Sequence, residues 1–128
     1  MFKASPKIYI VDDDEAVLKA ISRLIRSAGF KAETFNSAQI FLDSVPLDTK
    51  GVLILDMRMP DIGGFELQKK LNALHSDLQI IFITAHAMAG DRERAIEEGA
   101  KGFLQKPFDD GSLLGLIDSV TSEKEGAS

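Results

Sequence analysis

Residues 51–64 read GVLILDMRMPDIGG. Gly51 to Leu55 is an apolar run of strand length, and Asp56 follows it directly. The Pro and Gly content of the next eight positions, Met57 to Gly64, marks a loop. Toward the C-terminus, Phe65 to Leu74 carries a helical pattern. Leu78 to Ile83 (LQIIFI) is the most apolar strand and is followed by Thr84. Asp91 to Gly99 reads as a short polar helix and Gly102 to Gln105 as a strand. Asp109 or Asp110 caps a last helix through about Thr121, weakened by Gly111 and Gly115. Toward the N-terminus, Lys7 to Val11 (KIYIV) is a buried strand that runs into Asp12, Asp13 and Asp14. Asp14 is placed to cap a helix whose inner face holds Val17, Leu18, Ile21, Leu24, Ile25 and Ala28, and Gly29 ends it. Lys31 to Phe35 alternates as a strand. Ser37 caps a short helix through Val45, with Ile40, Phe41 and Leu42 inward.

Strands alternating with helical stretches give a (βα)5 pattern, an α/β chain with one doubly wound parallel sheet and right-handed crossovers. The expected strand order is 2-1-3-4-5, the flavodoxin-like winding. In that order the first and third strands are neighbours across the switch point, where ligands bind in open parallel sheets. Asp12, Asp13 and Asp56 then share one crevice, with Thr84 and Lys106 at the same sheet edge.

Composition narrows the classes. The 128 residues suit one domain, expected over 1–121 with a polar tail or linker stub at 122–128 (SEKEGAS). Apolar content of 45% argues against disorder, and a net charge of −5 argues against nucleic-acid binding by this chain. There is no cysteine, which excludes disulfides and thiolate metal sites. The first seven residues lack the apolar core of a signal peptide, and no apolar run is long enough to span a bilayer. A cytoplasmic protein without membrane contact is expected.

The polar residues at the sheet edge carry the chemistry. One acid after a strand commonly caps the next helix, but Asp14 serves that purpose here. Two further acids beside it cost like-charge repulsion that a hard divalent cation removes. Mg²⁺ suits a site of one or two carboxylates, waters and phosphate oxygens. Beside such a cation the Asp56 carboxylate is a candidate nucleophile for aspartyl-phosphate chemistry. Thr84 is either an ordinary strand-end residue or a hydroxyl donor to a phosphoryl oxygen. Lys106 balances the acids. Phe103 reads as core. His75 reads as a surface residue after a helix, and His86, two after Thr84, as a rim residue.

Together these residues resemble the receiver domain of two-component response regulators, over Ile8 to about Val120. The landmarks are IYIVDDD, VLILDMRMPDIGGFEL, FITA and GAKGFLQKPF. VDDDEAV, SAQIFL and LDMRMPDIGGFELQ are similar to the NarL/FixJ type in particular. The resemblance implies that Asp56 is the phosphoacceptor, charged from a sensor histidine kinase or phosphotransfer protein. It implies Mg²⁺ on Asp12, Asp13, Asp56 and the backbone carbonyl of Arg58. Thr84 and Lys106 clasp the phosphoryl group, Ala85 leaves the pocket open, and Phe103 is the switch aromatic. Arg58 and His86 tune hydrolysis. The Lys106–Pro107 bond becomes a candidate cis peptide. Such a domain is not a dedicated enzyme, but catalyses its own phosphorylation and slow autodephosphorylation. Phosphorylation switches the face of the fourth helix, fifth strand and fifth helix, with a receiver homodimer as one outcome. The output is either a helix-turn-helix transcription domain absent from this chain or a protein partner of a stand-alone receiver.

Two rival classes share the fold. A small phosphohydrolase with an aspartyl-phosphate intermediate ordinarily needs an acid two residues after the nucleophile, and here that residue is Arg58. An FMN-binding module needs a phosphate-cradling loop after the first strand. DDDEA, with its run of successive acids, is the opposite.

Overall fold

The computed structural model describes residues 6–46, 48–60 and 62–126, without the side chains of 122–126. Its strands are β1 (Lys7–Val11), β2 (Lys31–Phe35), β3 (Lys50–Asp56), β4 (Asp77–Thr84) and β5 (Gly102–Gln105). The helices are α1 (Glu15–Ser27), α2 (Ala38–Ser44), α3 (Gly64–Ala73), α4 (Asp91–Glu97) and α5 (Asp110–Gly126). All strand pairs are parallel, in the order β2-β1-β3-β4-β5. This is the flavodoxin-like (βα)5 winding that the alternating pattern predicts.

Alternation along the buried strands sends side chains to two cores. Ile8, Ile10, Val52, Ile54, Ile81 and Ile83 pack under α1 and α5, against Leu18, Ile21, Ile25, Leu113 and Ile117. Tyr9, Val11, Leu53, Leu55 and Phe82 pack on the other face, against Phe41 of α2, Leu67 and Leu71 of α3, and Ala95 of α4. Each such side chain removed from water contributes about 1.5–3 kcal/mol. The central strands therefore form the stiffest part of the molecule, and their C-terminal ends are fixed in space.

Local signals act as the sequence predicts at most boundaries. The Asp14 carboxylate accepts from the amides of Ala16 and Val17, and Ser37 Oγ accepts from Ile40 N. Gly29 follows α1 with φ of 94°, a left-handed position open to glycine. Asp109 rather than Asp110 caps α5, accepting from Ser112 N at 3.0 Å.

Several expectations need correction. Ile40, expected inward, is 49% exposed. Ala38 and Phe41 set the inner face of α2, and Ile40 lies about 200° round from Ala38. Ala28, expected on the inner face of α1, is its exposed C-cap. Asp56 and Thr84 end their strands rather than follow them, because the ladder continues through the pairs Asp56↔Ile83 and Thr84↔Gln105. α5 continues past Thr121 to Gly126, through most of the expected tail, and 127–128 lie outside the described residues.

Candidate functional site

The C-terminal ends of β1, β3, β4 and β5 converge on one polar cluster. Asp12 follows β1 and is completely buried, while Asp56 ends β3 and is 4% exposed. Asp13 is exposed beside them. One carboxylate oxygen from each of Asp12, Asp13 and Asp56 lies within 4.8 Å of the others. Lys106, just past β5, donates from Nζ to Asp12 Oδ2 at 2.8 Å and lies 3.5 Å from Asp56 Oδ1. The other Asp12 oxygen accepts from Asp14 N at 2.9 Å, which closes the turn into α1. The Lys106–Pro107 peptide bond is cis.

Electrostatics follow from this packing. Burial pushes the Asp56 carboxyl up to about 6, the nearby Asp12 charge pushes the same way, and Lys106 only partly opposes them. For Lys106, burial pulls its pKa down. The hydrogen bond to Asp12 and the charges of Asp12 and Asp56 outweigh that, so the ammonium titrates above its ordinary value. A second cation at the three carboxylates would relieve their remaining repulsion. The donors are all hard oxygens, the set that Mg²⁺ accepts.

Thr84 is buried at 1% exposure, and its hydroxyl oxygen accepts from His86 N at 3.2 Å. Its carbonyl accepts from Lys106 N at 2.7 Å, so β4 positions the lysine as well. Ala85 and His86 are both exposed on the rim. Phe103 is half-buried and packs with the core beneath α2, α3 and α4. His75 is exposed after α3, at φ of 57°.

Arg58 does not lie loose in solvent. Its Nη2 donates to Asp91 Oδ2 at 2.6 Å, and its Nε donates to the His86 carbonyl at 3.3 Å. Asp91 was not legible as a site residue, since it reads as an ordinary acid in the first turn of α4. Its only sequence signal was position at the end of a loop rich in alanine and glycine. Gly64 was also missed. A Cβ there would stand 2.7 Å from the Asp56 carbonyl oxygen and 2.9 Å from the Phe82 ring, so only glycine lets α3 start against the end of β3.

A family model described as the response regulator receiver domain matches residues 8–118. The response regulator protein TodT of Pseudomonas putida is 46% identical over 110 residues, covering 86% of this chain and 48% of that protein. The transcriptional regulatory protein FixJ of Bradyrhizobium diazoefficiens is 38% identical over 120 residues, 94% of this chain and 58% of that protein. The chain thus spans about half the length of these curated relatives. A CheY-like receiver domain protein from Methanospirillum hungatei superposes with a TM-score of 0.87 at 25% identity, covering 98% of this chain and 100% of that one.

Proposed function

The chain belongs to the response regulator receiver domains, and on that premise we propose that it accepts a phosphoryl group on Asp56 from the phosphohistidine of a sensor histidine kinase or phosphotransfer protein. The observation that carries this reading is the single cluster at the strand ends, where Lys106 stands between Asp12 and Asp56 and three carboxylates meet within 4.8 Å. A buried acid at the end of a strand that is paired on both sides is a fixed nucleophile. A carboxylate oxygen of Asp56 attacks phosphorus as the bond to the donor nitrogen breaks, and the histidine retains that electron pair. Lys106 and the Thr84 hydroxyl receive the phosphoryl oxygens. Asp12, Asp13, Asp56 and the Arg58 carbonyl would hold Mg²⁺, which when bound would neutralise charge on the transferred group.

An apolar cleft of about 460 Å³ opens beside Lys106, lined among others by Val17, Ala20, Leu24, Ala85 and Phe108. It offers the donor protein a surface next to the acceptor. Met88, in the loop before α4, is 66% and Ile96 of α4 43% exposed, and the face of α4, β5 and α5 serves as the output surface. Thr84 and its loop move toward the phosphoryl group, Phe103 turns into the space they leave, and that face changes shape. The output is a DNA-binding domain, in keeping with a relative that is a transcriptional regulatory protein, or a separate protein partner. The domain acts in the cytoplasm as a switch with slow self-catalysed phosphoryl loss. Among the described residues no helix is long and apolar enough to cross a membrane.

Intact mass after treatment with acetyl phosphate and Mg²⁺ tests the reading. The wild-type chain is expected to gain one phosphoryl group and Asp56→Asn none. Labelling of Asp56→Asn at the wild-type level would overturn the acceptor assignment. Size-exclusion chromatography of the same sample reads out any receiver dimer.

A further inference from the structure

We propose that Arg58 is a strap with two alternative anionic partners: the Asp91 carboxylate in the unmodified protein and the phosphoryl group on Asp56 in the modified one. Asp91 is then a positioning residue, acting through Arg58 on how firmly the acceptor holds its phosphoryl group. The inference rests on the acceptor reading given above and adds to it a residue outside the cluster.

Arg58 reaches across from the loop after β3 to the loop between β4 and α4. It binds that loop at both ends, through the His86 carbonyl at its start and the Asp91 carboxylate at its finish. The same Asp91 oxygen accepts from Met88 N at 2.8 Å, so one carboxylate both closes the loop and anchors the arginine. The root of this loop is Thr84, whose hydroxyl oxygen is engaged by His86 N. Holding the loop therefore holds Thr84. The strap ties the loop that must move to the strand that carries the acceptor.

The pair is built to be exchanged. The Arg58 side chain is 42% exposed and that of Asp91 13%, so the pair is open to water, and so to exchange, from the arginine side. A phosphoryl group on Asp56 brings about −1.5 to −2 of charge, against a single charge on Asp91. Residues 56 and 58 have Cα atoms no more than about 7 Å apart, within the span of an arginine side chain. The planar fork that now serves a carboxylate and a carbonyl also suits two phosphoryl oxygens. Because the two anions compete for one guanidinium, weakening either contact strengthens the other.

The test is a titration with Mg²⁺ and beryllofluoride, a stand-in for the phosphoryl group, followed by calorimetry on the full chain. Asp91→Asn keeps an oxygen to accept from Met88 N and removes only the charge. It is expected to tighten beryllofluoride binding about two- to five-fold, the range of one exposed ion pair. Arg58→Gln is expected to weaken binding, and Asp91→Asn in that background to have no effect. Unchanged or weaker binding by Asp91→Asn would overturn the strap. So would the same gain with and without Arg58, since a loop defect does not depend on the arginine. If the wild-type chain fails to bind beryllofluoride, the acceptor reading falls first and the strap with it.

Discussion

The sheet edge and the α4 segment lie on either side of one loop, yet different forces hold them. At the edge, Asp12, Asp56 and Thr84 are buried at the ends of strands whose neighbours are completely buried isoleucines, valines and leucines. α4 buries only Ala95. Its position depends on side chains reaching from outside: Arg58 to Asp91, Gln68 Nε2 to the Ala95 carbonyl at 3.1 Å, and Asn72 Nδ2 to the Glu98 carbonyl at 2.8 Å. Arg94 adds a cation–π contact 4.0 Å from the centre of the Phe65 ring. A core resists displacement because moving it opens voids. Polar contacts can be exchanged for others at small cost. The polar cluster is thus placed on the rigid part, and α4, across the loop, is held by replaceable contacts.

The sharpest way to break this contrast is by truncation. Phe82→Ala, in the completely buried centre of β4, is expected to cost about 3–5 kcal/mol in urea unfolding, against no more than about 0.5 kcal/mol for Ile96→Ala on α4. Equal losses would mean that α4 is as much a part of the core as β4.

A somewhat smaller effect comes from pH. The Asp56 carboxyl titrates at about 6 in the fold against 3.8 ordinarily, so the folded state favours its neutral form. That contribution is fully present below the ordinary value and is lost as pH rises through about 6, at most about 3 kcal/mol. Without metal, wild-type protein should therefore lose stability between pH 4 and 7 relative to Asp56→Asn. Mg²⁺ should restore it at pH 7, since the cation binds the ionised form. Parallel unfolding curves for the two proteins across that range would remove the penalty assigned to the sheet edge.

The smallest effect is expected at the clasps. Gln68→Ala leaves the Ala95 carbonyl without its partner and should cost about 1–2 kcal/mol, and the exposed Asn72→Ala should cost less. Amide exchange should speed up in α4 while β3 and β4 stay protected. Faster exchange in β4 as well would show that the clasps stabilise the sheet and not only the helix.

The local elements were legible because each is governed by near neighbours. Asp14 and Ser37 cap the helices they precede, and β1, β2 and β5 have the expected bounds. The convergence of Asp12, Asp13, Asp56 and Lys106 was also legible, because a parallel sheet sends every strand's C-terminal end to one edge. Ile40 misled for a physical reason: a seven-residue helix has too few turns for its apolar pattern to define one face. The partners of Arg58 were not legible at all.

Apolar runs of strand length, each ending in a polar residue, determined the winding of this chain and which edge carries its reactive groups. Those features depend on burial and chirality, which act along short stretches of chain. Only the tertiary structure decided that Arg58 meets Asp91 and the His86 carbonyl, that Gln68 and Asn72 hold α4, and that Gly64 must lack a side chain. These contacts join residues far apart in sequence, and their geometry depends on how two packed layers meet.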